Sequence, residues 1–282
     1  MCLVAFAWRA HPRFHLVVAA NRDEFHERPT AALGWWTDDP RILAGRDQQA
    51  AGTWMGMERS GRFGLMTNFR DLETPPPDTP SRGSLVAEFL KGSMPARDYL
   101  DKLAATARRF AGFSLVIGDS DSIYYFSNRD GSEPRPLAPG VYGLSNHCLD
   151  SPWPKVTRTR ARLTEAVGKP DIDSSALFEM LADRTITEDA AVPRTGLPAE
   201  WERRLSAAFV LHESYGTRCS TVMLSDNDDR CTVFERRFDS AGCETGRTRI
   251  GFDRSRGSDV SLESSPGRGM TSGELPGDSS PE

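Results

Sequence analysis

Apolar runs separated by short polar turns fill the first 70 residues, and this pattern predicts a β-rich beginning. Two nearly continuous apolar runs, Cys2–Arg9 and Phe14–Asn21, flank a polar turn that contains Pro12. Continuous apolar runs are typical of strands that are covered on both faces. A second hairpin is predicted at Gly52–Glu58 and Arg62–Asn68.

Helical periodicity appears in two later parts of the chain. Ser81–Lys91 and Pro95–Arg108 each place their apolar residues on one face, and so do Pro154–Val167 and Ser174–Ala182, with a shorter helix predicted at Pro198–Leu205. Further strands are predicted at Phe113–Gly118, Ser122–Asn128, Gly140–Ser145, Thr217–Ser225 and Cys231–Phe238. Hairpins dominate, and strands and helices do not alternate regularly. The order predicts a layered α+β domain with mainly antiparallel sheets and helices on the outside.

The last part of the chain has a different composition. Residues 253–282 are rich in Gly, Ser and Pro and contain no aromatic residue. Such a segment offers little apolar surface to bury, which predicts a disordered tail. We therefore expect one folded domain over residues 1–252.

Composition and charge restrict the class of protein. The 282 residues carry a net charge of -5, which argues against a nucleic-acid-binding surface. No run approaches the roughly 18–20 apolar residues of a membrane span, so we expect no integral membrane segment. The first apolar run lacks the basic region that opens a signal peptide. Five cysteines at irregular spacing fit free thiols in a reducing compartment, and together these features predict a cytoplasmic protein.

Cys2 is the first candidate for chemistry. If Met1 is removed, Cys2 becomes the first residue and carries both a thiol and a free α-amine. An α-amine has a typical pKa of about 7.7–8.0 and can act as general base for the thiol of the same residue. The alternative is that Cys2 merely occupies the second position. The choice between them depends on the rest of the sequence.

Polar residues follow several of the apolar strand runs. The segments Asn21–Glu24, Gly64–Asp71 and Tyr142–His147 each end or follow a predicted strand. Taken singly, each has an ordinary explanation, because Asn and Asp favour turns and an exposed Arg–Asp pair contributes little. Together they supply a carboxylate that could hold an amine and neutral donors that could stabilise an oxyanion. This combination is what acyl transfer at an N-terminal cysteine requires.

Four ordered motifs behind Met1–Cys2 resemble a known family. The motifs are Asn21–Glu24, Gly64–Asp71, Gly143–His147 and Tyr215–Val222. They resemble the NRDE family, the transport and Golgi organisation protein homologues, from Met1 to about Phe238. More distantly, their order is similar to that of N-terminal-nucleophile hydrolases of the choloylglycine hydrolase and penicillin acyltransferase type. That similarity implies a four-layer αββα sandwich.

The more distant resemblance implies roles for three residues near the chain start. Cys2 matches the nucleophile, and Arg22 and Asp23 match the Arg and Asp that flank it. In those relatives the Arg and Asp are usually separated, whereas here they are adjacent. Neighbours on a strand point to opposite faces, so Arg22 and Asp23 can both reach Cys2 only beyond the end of the strand.

Three later residues are also matched by the resemblance. Asn68 corresponds to a position whose backbone N–H contributes to the oxyanion hole, and Asn146 to the Asn whose side chain completes that hole. Arg218 corresponds to a late Arg near the nucleophile. The implied activity is hydrolysis or acyl transfer at an amide bond, with a small-molecule substrate and no cofactor.

A second function stays open at this point. Members of the family are associated with intracellular haem or lipid homeostasis, so the same cleft could serve a non-enzymatic small-ligand carrier. The five histidines show no metal-binding spacing, and we expect no metal site. The pair His147–Cys148 offers haem-ligand types, but no attachment motif accompanies it. A structural adaptor has the least support.

Overall fold

The computed structural model describes residues 3–71, 73, 78–255 and 258–266. Met1 and Cys2 lie outside the described residues, and so does most of the predicted tail. Among the residues described, no helix is both long and apolar enough to cross a membrane.

Fourteen strands are described, and every neighbouring pair among them is antiparallel. In chain order, the first eight are β1 (Leu3–Trp8), β2 (Phe14–Phe25), β3 (Thr30–Trp35), β4 (Ile42–Asp47), β5 (Met55–Glu58), β6 (Phe63–Asn68), β7 (Phe113–Gly118) and β8 (Ile123–Ser127). The others are β9 (Arg135–Pro136), β10 (Gly140–Leu144), β11 (Tyr215–Asp226), β12 (Arg230–Phe238), β13 (Glu244–Asp253) and β14 (Ser258–Pro266). The helices are α1 (Gly83–Lys91), α2 (Ala96–Ala104), α3 (Pro154–Val167), α4 (Ser174–Leu181) and α5 (Ala199–Arg204).

The strands form two seven-stranded sheets that stack on each other. Sheet I has the order β10-β1-β2-β11-β12-β13-β14, and sheet II runs in sequence order from β3 to β9. One apolar core lies between the sheets, a second joins sheet II to α1 and α2, and a third joins sheet I to α3 and α4. The predicted four-layer αββα sandwich of mainly antiparallel sheets is therefore confirmed.

The first strand shows why the chain begins with an unbroken apolar run. Val4 and Phe6 pack into the core between the sheets, whereas Ala5 and Ala7 pack into the core under α3 and α4. Both faces of β1 are covered, so neither face needs polar residues. The small alanines on the outer face leave room for the helices to approach.

Strand β2 is longer than the sequence predicted. We expected it to end at Asn21, but it continues to Phe25 because β11 pairs with it along its whole length, with Asp23 opposite Thr217. The Asn21–Glu24 motif is thus part of a strand and not of a turn after it. Side chains alternate along a strand, so Arg22 points to one face of sheet I and Asn21 and Asp23 point to the other.

The end of the described chain corrects a second prediction. Residues 258–266, which we expected to belong to a disordered tail, form β14 and pair with β13. The predicted domain boundary at 252 falls inside β13. Backbone hydrogen bonds to a sheet edge hold this strand, and its apolar residues Val260 and Leu262 stay exposed. A forecast based on apolar burial alone could not detect such an edge strand.

Candidate active site

A cleft of about 540 Å³ opens where ends of the two sheets meet. Its lining includes Arg22, Asp23, Trp54, Met66, Asn68 and Tyr215. Sheet I contributes the end of β2 and the start of β11, and sheet II contributes the end of β6 and the residues just before β5. Three of the residues selected from the sequence, Arg22, Asp23 and Asn68, therefore border one cavity.

The described start of the chain lies beside this cleft. Leu3, the first described residue, pairs with Asn21 of β2, and on the other side of β1 Val4 pairs with Leu144 of β10. Strand β1, which follows the candidate nucleophile, thus lies between β2, which contains Arg22, and β10, which ends two residues before Asn146. Cys2 itself lies outside the described residues, and its role stays a prediction.

Asn21 supports the architecture of this region. Its side chain is fully buried, and Nδ2 donates to the carbonyl oxygens of Leu181 and Ala208, each at 2.8 Å. Its Oδ1 accepts from the Ser220 hydroxyl at 2.6 Å. Leu181 is the last residue of α4, where backbone carbonyl groups have no hydrogen-bond donor within the helix. Asn21 thus ties β2 to the helix layer, and its polar atoms are engaged there.

Arg22 carries a buried cation on the inner face of sheet I. Its side chain is 3% exposed, and its guanidinium carbon lies 4.3 Å from the centre of the Trp54 ring. Nη2 lies 3.8 Å from Glu24 Oε2, while the buried Nη1 has no hydrogen-bond partner among the described residues. A buried donor without a partner is costly, so an anionic or oxygen-bearing group is the natural complement for it.

Asp23 is held by a short chain of hydrogen bonds on the opposite face. The Thr217 hydroxyl donates to Asp23 Oδ1 at 2.6 Å and accepts the Val210 N–H at 2.9 Å. Asp23 is 2% exposed. These bonds fix the orientation of the Asp23 carboxylate. A fixed carboxylate can hold a cation in one place.

Asn68 and Asn146 are brought together although 78 residues separate them. Asn146 Nδ2 donates to the Asn68 carbonyl oxygen at 3.1 Å. In a strand the N–H and C=O of one residue point to the same side, so the Asn68 N–H faces the side on which Asn146 lies. Asn146 has a φ of 52°, in the left-handed region that Asn tolerates better than most residues. The two oxyanion-hole candidates are therefore neighbours.

Arg218 lies beside the cleft. It sits at an irregularity in the pairing of β11 with β2, and bulges of this kind often redirect a side chain near a site. Its Nη1 donates to the carbonyl oxygens of Phe25 and Arg28 at 2.7 and 3.2 Å, and both residues line the cleft. Burial, with the nearby charge of Arg22, lowers the pKa of Arg218. It braces the rim and adds positive charge, while a catalytic role for it stays a prediction.

Other residues of the region carried no separate signal in the sequence. Arg28 Nη2 and Asp47 Oδ2 form an ion pair at 2.7 Å on the cleft wall. Burial by itself would raise the pKa of Asp47, but the bonds from Arg28 hold that pKa below its usual range. Trp54 is buried and lines the cleft. Within the described residues, no cluster of three or more His, Cys, Asp or Glu is arranged to hold a metal ion.

This chain is similar to known proteins in structure and in sequence. Among solved structures, a variant of conjugated bile acid hydrolase from Clostridium perfringens superposes with a TM-score of 0.49 at 10% identity, covering 94% of this chain and 96% of that one. The Transport and Golgi organization 2 homolog of Mus musculus is 32% identical over 256 residues, which cover 84% of this chain and 92% of the mouse protein.

The family resemblance seen in the motifs is confirmed by these sequence comparisons. The Transport and Golgi organization protein 2 homolog of Bos taurus is 34% identical over 256 residues, with the same coverage of 84% and 92%. The family model for Transport and Golgi organisation 2 matches residues 1–240. The chain belongs to the Transport and Golgi organisation 2 family.

Proposed function

We propose that this protein is an N-terminal-cysteine amidohydrolase or acyltransferase that acts on a small amide or acyl substrate. The observation that carries the proposal is the grouping of charged and neutral polar residues around the start of β1. A buried cation (Arg22), a fixed carboxylate (Asp23) and a neutral donor (Asn68) line one cleft, and the second neutral donor, Asn146, is hydrogen-bonded to Asn68. Acyl transfer needs these three kinds of group at one place.

In the proposed reaction, removal of Met1 gives Cys2 a free α-amine, which takes the proton of the Cys2 thiol. The thiolate sulfur attacks the amide carbon, and the carbonyl electron pair moves onto oxygen. When this oxyanion collapses, the carbon–nitrogen bond breaks and the leaving nitrogen takes the proton from the α-ammonium. Water then hydrolyses the thioester, or an amine accepts the acyl group.

The described residues have clear tasks in that scheme. Arg22 and Asp23 lie within β2 and point to opposite faces, yet both border the cleft, so we assign each to a different group of Cys2. Asp23, oriented by Thr217, holds the α-ammonium of Cys2. The positive charge of Arg22 favours the thiolate over the thiol and lowers the thiol pKa. Its buried Nη1, which has no hydrogen-bond partner among the described residues, is the donor that we assign to the thiolate.

The neutral donors act on the oxyanion. An amide nitrogen carries two hydrogens, and the one that the Asn68 carbonyl does not take is the donor that we assign to Asn146. The backbone N–H of Asn68 is the second donor. Neutral donors fixed in position stabilise charge as it develops without adding charge to the resting site.

The alternative function is a carrier for a small ligand such as haem or a lipid. Apolar and aromatic residues of the cleft, among them Phe25, Trp54, Met66 and Tyr215, would suit a ligand that is bound and not converted. The buried carboxylate and the Asn pair favour chemistry, because a carrier has no need of oriented groups for an ammonium and an oxyanion. A cytoplasmic location stays a prediction.

A panel of N-acyl amides, assayed beside binding of haem and acyl lipids, tests the proposal. We expect amide turnover by the wild-type protein and its loss in Cys2→Ser, which keeps the shape but weakens the nucleophile. As a matched control, Cys243→Ser replaces an exposed cysteine and should leave turnover unchanged. Saturable ligand binding without Cys2-dependent turnover on any substrate would refute the enzymatic function and favour the carrier function.

A further inference from the structure

A buried ion pair joins the segment just after β6 to helix α5. Arg70 Nη1 lies 2.9 Å from Glu202 Oε2, and the two side chains are only 8% and 5% exposed. The Arg70 guanidinium also packs 4.9 Å from the centre of the Trp153 ring. Among the described residues, neither Arg70 nor Glu202 lines the cleft, so the scheme above gives the pair no task.

The surroundings of Glu202 make this pair rigid. Its Oε1 accepts the N–H and the hydroxyl of Thr195 at 2.6 and 2.7 Å, and the N–H of Leu197 at 3.3 Å. A buried charge pair is costly to desolvate, and it is retained only when its geometry is good and further hydrogen bonds satisfy it. Both carboxylate oxygens of Glu202 meet that condition, so Arg70 is held in one place.

Arg70 in turn contacts the oxyanion candidate through its backbone. The Arg70 N–H donates to the carbonyl oxygen of Asn146 at 2.7 Å, and Asn146 Nδ2 donates to the carbonyl oxygen of Asn68. Residues 68–70 therefore clamp Asn146 from two sides. These two hydrogen bonds hold Asn146 in its left-handed conformation, with a φ of 52°, which costs some energy even for Asn.

We propose that the Arg70–Glu202 ion pair is a positioning device for the Asn146 amide. This proposal rests on the proposed function, in which Asn146 donates to the oxyanion. Arg70 and Glu202 touch no reacting atom, and they act by fixing the backbone that holds Asn146. A donor needed in the transition state affects turnover more than ground-state binding, so loss of the pair lowers kcat and leaves KM nearly unchanged.

Conservative variants separate positioning from folding. Glu202→Gln keeps the size of the side chain and removes its charge, and Arg70→Lys keeps the charge and removes the planar fork. The matched control is Glu200→Gln on the same helix, where Glu200 pairs with Arg204 while 75% exposed. We expect kcat to fall by roughly 10-fold to 100-fold in the first two variants, part of what loss of an oxyanion donor costs, with KM within about twofold. Glu200→Gln should behave as wild type.

A double-mutant cycle gives the specific test. In an Asn146→Ala background, Glu202→Gln should lower kcat by less than about twofold, because the group it positions is gone. Equal loss of kcat in both backgrounds would overturn the proposal, and so would a rise in KM at constant kcat. Thermal unfolding of each variant confirms that the folded protein is being compared.

A second measurement does not depend on turnover. The side-chain amide resonances of Asn146, assigned by their absence in Asn146→Ala, should shift in Glu202→Gln and Arg70→Lys and stay in place in Glu200→Gln. If the wild type turns over no amide, the proposed function fails and these resonances alone decide whether the pair positions Asn146. Resonances that do not move in either variant would refute the positioning.

Discussion

Asn21→Asp tests whether the first residue of the Asn21–Glu24 motif holds the fold together. The substitution keeps the size of the side chain but replaces an amide NH₂ with a carboxyl oxygen. That atom would face the carbonyl oxygens of Leu181 and Ala208, which now accept from Nδ2 at 2.8 Å each. Two buried acceptors lose their donor, and an acceptor is brought against them.

The expected magnitude follows from those two contacts. A buried polar group left without its partner costs about 1–3 kcal/mol, so two of them lower the free energy of unfolding by roughly 2–6 kcal/mol. For a protein of this size the midpoint of thermal unfolding moves by about 2–4 °C per kcal/mol, which gives a fall of at least about 4 °C. Protonation of the new carboxyl would restore one donor, so the loss should be smaller at low pH.

Chemical and thermal unfolding followed by circular dichroism measure this effect. Asn227→Asp is the matched control, because Asn227 is exposed and donates to the Pro12 carbonyl oxygen at 2.9 Å. We expect that control to stay within about 0.5 kcal/mol of wild type, as surface substitutions usually do. Equal stability of Asn21→Asp and Asn227→Asp would show that Asn21 does not tie β2 to the helix layer.

Three further predictions concern the site and its pH dependence. Asn146→Ala should lower turnover by about 10²–10³ while ligand affinity changes far less, and initial rates beside a binding isotherm check this. Thr217→Val removes the hydroxyl that orients Asp23 and should lower turnover by roughly 10-fold to 100-fold, whereas Thr217→Ser should stay near wild type; equal loss in both would contradict that role. Burial and the charge of Arg254 lower the pKa of His15, so the unfolded chain binds a proton at higher pH than the folded protein. Stability should therefore fall as the pH drops below about 6.5, and His15→Gln should flatten the fall in pH-dependent unfolding curves.

The layers of the fold could be predicted from apolar patterns because most elements bury a whole face. The runs that became β1, β6, β7, α3 and α4 were all visible in the sequence. Strands β13 and β14 were not, since polar residues interrupt the apolar ones in β13 and most described side chains of β14 are exposed. Backbone pairing at this end of sheet I holds both strands. The length of β2 was also missed, because polar residues in a strand become acceptable only when β11 supplies partners for them.

The candidate site was predictable in its members but not in its support. Arg22, Asp23, Asn68 and Asn146 stood in motifs with recognisable chemistry. Glu202 lies in a short helix without any motif, and its contact with Arg70 joins residues 132 positions apart. Contacts of that kind depend on how the layers stack, and a single sequence does not encode them in a local pattern.

The most direct test of the N-terminal-cysteine mechanism is the intact mass of the purified protein, measured before and after acid quenching of a reaction with an N-acyl substrate. We predict that the mature protein lacks Met1 and that the quenched sample gains the mass of one acyl group. Peptide sequencing should locate that group on Cys2, and the Cys2→Ser protein should gain no thioester-linked group. Met1 retained on protein that turns over the substrate, or an acyl group found on another cysteine, would contradict the mechanism.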